Sequence, residues 1–218
     1  MDVTKDEAKG NFSVALGLLD YVNPVFYLVT VVTLVLNLKG VLELPMLIVY
    51  LMGALVSIIF GFTIPTVKVL VGLGKMKFQL PVNLVTYVNI GILTSGIVLL
   101  CHMLKLKFIV CFAIVLVSIL ALLIAYKKIE KFNSIAVLIG AIGYLFIYIS
   151  LITFALRAGV TISIVFYAIA ICLYLALVCI GVFGDVMNAK VHWVIESCNI
   201  CCQGSVAIAT VLMFILSK

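Results

Sequence analysis

Charge is what this sequence has least of. Only 10% of its 218 residues are Asp, Glu, Lys or Arg, against roughly 25% in a soluble domain. With 67% hydrophobic residues, a soluble chain of this size would lack the polar surface to stay dispersed. Histidine is nearly absent, with His102 and His192 alone, and Trp193 is the single tryptophan. No Gly-Xaa-Ser-Xaa-Gly elbow, His-Glu-Xaa-Xaa-His pair, phosphate-cradling glycine loop or nucleotide signature is present. A membrane hydrolase built on a metal would need more histidine and aspartate than this. An enzyme is therefore not expected, and neither is a cofactor.

Other scarcities narrow the picture further. Met1 to Lys9 mixes acids with only two lysines, and no short apolar core leads to a small-residue cleavage site, so a cleaved signal peptide is not expected. Seven cysteines make an odd count without regular spacing, which offers no disulfide framework. Cys101, Cys111, Cys172 and Cys179 fall inside apolar runs, where thiols pack as small apolar groups. Cys198, Cys201 and Cys202 are closer together, but Cys198 and Cys202 share a helix face that His192 does not, short of the four converging ligands of a zinc site.

What is present in quantity is long apolar blocks. Seven runs can be drawn: Val22–Leu38, Leu42–Phe62, Val82–Leu104, Phe108–Tyr126, Ile135–Leu156, Val160–Phe183 and His192–Leu216. Each has the length of a membrane span. Helices are required, because an open sheet would leave backbone groups unpaired in lipid. The expected fold is an all-α transmembrane bundle of about seven helices over residues 22–218, preceded by a cytoplasmic tail and interfacial lead-in over 1–21. The breaks between runs carry Lys39-Gly40, the segment Pro65 to Pro81, Lys105–Lys107, Lys127–Lys131, Arg157-Ala158-Gly159 and Gly184–Lys190. With seven spans, the tail, Lys68–Lys77, Lys127–Lys131 and Lys190 share one side and hold nine lysines. The other side holds five basic residues, so the positive-inside rule places the N-terminus in the cytoplasm, most simply of a plasma-membrane protein. The net charge of +6 needs no nucleic-acid partner, since basic loop ends face anionic lipid headgroups.

The two halves show traces of repetition. Leu51, Ala54, Leu55, Val56, Ile58, Phe60 and Gly61 align with Leu173, Ala176, Leu177, Val178, Ile180, Phe183 and Gly184, allowing one insertion. Val82, Val85 and Asn89-Ile90 align with Val191, Val194 and Asn199-Ile200. These matches suggest two parallel three-helix units joined by the fourth span, a transporter architecture with sites at the unit interface. In plan it is similar to the 3+1+3 arrangement of SWEET-type sugar transporters and PQ-loop proteins. It departs from them in having no Pro-Gln dipeptide, and Pro24, Pro45, Pro65 and Pro81 all lie in the first half.

Candidate functional residues lie on polar stripes. On the last helix His192, Glu196, Asn199, Gln203 and Thr210 share one face, within about 40° either side of a line. The apolar run behind them, Gly204 to Leu216, reaches only about 20 Å, short of the roughly 30 Å of a span. Asn199 and Gln203 must then enter hydrocarbon, with Glu196 at its rim beside His192, where a carboxyl–imidazole pair can exchange a proton with water. The first run aligns Asn23, Tyr27, Thr30 and Asn37, the third Asn83, Tyr87, Thr94 and Cys101, and the fifth Gly140, Tyr144 and Tyr148. Singly, such stripes read as interhelical hydrogen bonding, about 0.6 kcal/mol per contact. Jointly they could line one hydrated cavity. The function expected is passage of a small polar solute or cation, with proton coupling through Glu196. The alternative is a non-transporting regulatory, immunity or assembly subunit, with a membrane partner or a second copy of the chain beside it.

Overall fold

The computed structural model describes residues 13–76, 82–128, 132–183 and 189–217. They form helices α1 (Val14–Asp20), α2 (Val22–Leu38), α3 (Leu44–Gly72), α4 (Val82–Met103), α5 (Phe108–Lys128), α6 (Phe132–Ala158), α7 (Thr161–Phe183) and α8 (Ala189–Leu216). Among the described residues there is no strand. Tyr21 joins α1 to α2 in helical conformation, so Val14–Leu38 makes one apolar segment of 25 residues. Counted that way the described residues form seven helices, six of them long and apolar enough to cross a bilayer. Their outward faces carry large apolar side chains such as Leu36, Met52, Leu156 and Leu175. The chain is a multi-pass membrane protein.

Local chemistry sets most of the ends. Ser13 caps α1, its hydroxyl accepting from the Leu16 amide at 3.2 Å. Gly40 at φ +86 turns the chain after α2, and Pro45 sits in the first turn of α3, where a missing N–H costs nothing. The boundary that departs furthest from expectation is the end of the second run. The second run does not stop at Phe62 but continues through Pro65 to Gly72. A proline can be carried in a membrane helix when neighbours support the loosened backbone, and α1 provides that neighbour. At Gly17 an added Cβ would lie 2.9 Å from the Val69 amide. That close approach seats α1 on the last turns of α3 and buries Val67, Lys68 and Val71.

Six of the seven helices close into a ring, in the order α1–α2, α3, α4, α6, α7, α8 and back to α2. Contacting residues give the directions. Gly53 meets Gly91 and Ser57 donates to the Val88 carbonyl, so α3 and α4 are antiparallel. Ser163 donates to the Ala209 carbonyl and Cys202 to that of Ala170, so α7 and α8 are antiparallel too. Across the halves the sense changes. Leu93 packs on Gly143 and His102 on Phe154, with numbers rising together along α4 and α6. Likewise Asn23 meets Glu196 and Phe26 meets Gly204, so α2 and α8 are parallel.

This neighbour order is the same in both halves, as in two parallel three-helix units. It also decides the role of α5. Because α4 and α6 run the same way, α5 must carry the chain back along the bundle between them. Its apolar stretch, Phe108–Ile124, spans about 25 Å at 1.5 Å per residue. Among the described residues it packs mainly against α4 and α3, on the ring's outside, and Ile109 is 78% exposed.

Candidate functional site

Four side chains from four helices form a closed polar loop at one end of the ring. Asp20 ends α1, Asn23 lies in the first turn of α2, Lys68 in the last turns of α3 and Glu196 on α8. Lys68 Nζ lies 2.8 Å from Asp20 Oδ2 and 2.6 Å from Glu196 Oε1. Asn23 Nδ2 donates to Asp20 Oδ1 at 2.9 Å and to Glu196 Oε2 at 3.2 Å. Every carboxylate oxygen thus receives one donor, and all four residues are buried. Charges removed from water require such pairing, and each partner lost leaves an uncompensated ion.

The loop abuts a cavity of about 130 Å³ inside the ring. That is room for several waters, and the wall carries the polar partners water needs. Asp20, Asn23 and Tyr27 line one side, Ser57 another, and Tyr144, Asn199 and Gln203 the rest, with Pro24, Gly61, Ile64, Val88 and Ile92 between them. Gln203 Nε2 donates to the Tyr144 hydroxyl at 3.0 Å, joining α8 to α6 across the ring. Tyr144 stacks on Tyr148 with centroids 5.8 Å apart and meets Tyr174 of α7 at 4.8 Å. An aromatic layer therefore backs the wall on that side. Asn23 Oδ1 and the Tyr27 hydroxyl are buried and make no hydrogen bond among the described residues.

Of the residues singled out from sequence, Asn23, Tyr27, Tyr144, Asn199 and Gln203 lie together on this wall. Glu196 is in the charged loop, and His192 lies one turn away, partly buried. Thr210 is deeper, bonded to Tyr167 at 3.0 Å and to the Val206 carbonyl at 2.7 Å, away from the cavity. Thr30 is buried with its hydroxyl on the Phe26 carbonyl. Tyr87 is 43% exposed and packs on Phe60, on the outer face of α4. The side chain of Asn83 lies outside the described residues. The three clustered cysteines do not converge: Cys202 is buried against Tyr148 at 3.3 Å, whereas Cys201 is exposed.

Two charged members escaped the sequence reading. Asp20 joins Glu196 as a second buried acid, and Glu196 pairs with Lys68, expected in a loop. Both carried a signal. Asp20, Asn23 and Tyr27 have the i, i+3, i+7 spacing of one helix face, and Lys68 is a lone lysine between Thr66-Val67 and Val69-Leu70-Val71. No protein-family model, curated protein or solved structure matches this chain.

Proposed function

We propose that the chain is a small transporter or channel-like protein that passes a small polar solute or cation through the ring. The observation that carries this is the cavity itself, lined by Asp20, Asn23, Tyr27, Ser57, Tyr144, Asn199 and Gln203 within a bundle whose exterior is apolar. Polar residues placed inside a membrane domain around open space mark solute and ion pathways. The two-fold neighbour order supports the same reading, since transporters built from repeats bind at the unit interface. In this proposal α1–α2, α3 and α4 form one unit, α6, α7 and α8 the other, and the cavity lies between them.

The charged loop closes one end. Lys68 ties α3 to α1 and α8, so opening that end requires the loop to come apart or to take up a cation in place of Lys68. Proton coupling through Glu196 belongs to the same proposal, with His192 as the exchange point toward water. The end bearing Asp20 and Lys68 faces the cytoplasm of a plasma membrane, as the lysine bias directs.

Proteoliposomes test this directly. Uptake of radiolabelled monovalent cations, small amines and small neutral polyols is measured with and without a pH gradient. Transport predicts saturable uptake of at least one class, lost in Gln203→Leu while the variant folds normally. If no class is taken up and a second membrane protein co-purifies in stoichiometric amount, the chain is an assembly or regulatory subunit instead.

A further inference from the structure

We propose that the cavity beside Asp20 is a binding site for a small primary amine in its ammonium form. The biological use of such a site rests on the transport reading above; the chemistry of its wall does not.

The orientation of Asn23 starts the inference. Its amide nitrogen donates to both Asp20 and Glu196, which uses both of its hydrogens. Turning the amide round would press Oδ1 against two carboxylates, so the carboxylates themselves dictate which way it points. Oδ1 is left as an acceptor without a donor among the described residues, on a residue only 7% exposed. One turn further along α2, the Tyr27 hydroxyl is in the same position, on a residue 9% exposed. Buried polar groups are ordinarily paired, and both of these belong to cavity-lining residues. A ligand that brings N–H donors would satisfy them.

Charge selects among such ligands. Two carboxylates meet one ammonium at 2.6 and 2.8 Å, so with both acids ionised the loop has a formal charge of −1, and Asp20 is on the cavity wall. An anion is repelled, and a neutral polyol leaves the surplus charge unanswered. Lys68 is the internal precedent, being a primary ammonium already held by these two acids. The remaining wall fits the rest of an amine. Tyr27 and Tyr144 supply aromatic rings, which attract cations, and Ile64 and Ile92 supply apolar surface for a short alkyl chain.

The test uses the purified full chain in lipid nanodiscs, with radiolabelled ethylammonium as probe in equilibrium dialysis. Ethanol serves as the neutral analogue and sodium chloride as the ionic-strength control. Saturable ethylammonium binding is expected, with neither ethanol nor sodium chloride competing at equal concentration. Tyr27→Phe, which removes a hydroxyl that makes no hydrogen bond among the described residues, should weaken binding roughly tenfold or more, while Tyr87→Phe leaves it unchanged. Absence of saturable binding, displacement by sodium chloride, or parent affinity in Tyr27→Phe would overturn the proposal. Amine binding without any flux in proteoliposomes sinks transport alone; flux of a neutral solute without amine binding sinks the amine site alone.

Discussion

Lys68 and Glu196, 128 residues apart in the chain, meet at 2.6 Å inside the bundle. The contact joins the end of α3 to the start of α8 and, through Asp20 and Asn23, fastens both to α1–α2. It places the charges of the membrane domain where the cavity begins.

The composition of that loop makes removal of its members unequal. Lys68→Met leaves two carboxylates facing each other without a cation, and should lower stability by about 3–5 kcal/mol. Glu196→Gln leaves Lys68 paired with Asp20 and a neutral amide in place of the second acid, and should be far milder. The double variant Lys68→Met/Glu196→Gln should regain part of the loss. Denaturant or thermal unfolding in detergent measures all three. Equal effects of the two single changes, adding without coupling in the double, would show that the loop does not act as a unit.

The cavity wall gives a second contrast. Asn199→Leu and Gln203→Leu should each reduce solute flux at least tenfold in proteoliposomes while elution profile and thermal stability stay near those of the parent. Tyr87→Ala, on the outer face of α4, should leave flux unchanged. Normal flux through Gln203→Leu would remove the wall from any pathway.

Close helix packing supplies a third. A Cβ at Gly143 would lie 2.7 Å from the Leu93 amide nitrogen, a backbone atom that cannot swing aside. Gly143→Val should therefore destabilise by about 1–3 kcal/mol through overpacking of α4 on α6. At Gly61 the nearest atom is the Pro24 Cβ at 3.4 Å, and Gly61→Ala should fold like the parent. A stable Gly143→Val protein would mean that α4 and α6 are not in the register found here.

Topology can be read with an impermeant thiol reagent in a chain freed of its own cysteines. Lys75 follows α3 and Lys105 follows α4, at opposite ends of the ring. Cysteine at 105 or 157 should label from outside intact cells, and cysteine at 75 only after permeabilisation. External labelling at 75 would reverse the proposed orientation, and labelling of 75 and 105 from one side would break the antiparallel pairing of α3 and α4.

Local sequence settled the helices themselves. Runs of apolar residues without charge must be helical in lipid, since no other unclosed structure pairs its own backbone there, and Gly40, Lys105–Lys107 and Gly159 mark turns by their chemistry. The 3.6-residue period likewise placed Asn23 and Tyr27 on one face and Asn199 and Gln203 on another. Periodicity says which residues share a face, but not what that face meets. Tyr87 and Asn199 stand on stripes of equal quality; only the packing turned one outward and the other onto the cavity. The same limit hid the charged loop. A proline and a lysine beyond Phe62 read as the end of a span because local rules assign both to helix boundaries, and α1 is what overrides them. Gly17 admits α1 against Val69, and Asp20 then arrives beside Lys68. A buried ion is tolerable only with its counterions in contact, and those counterions lie 48 and 128 residues away, where only the closed ring brings them together.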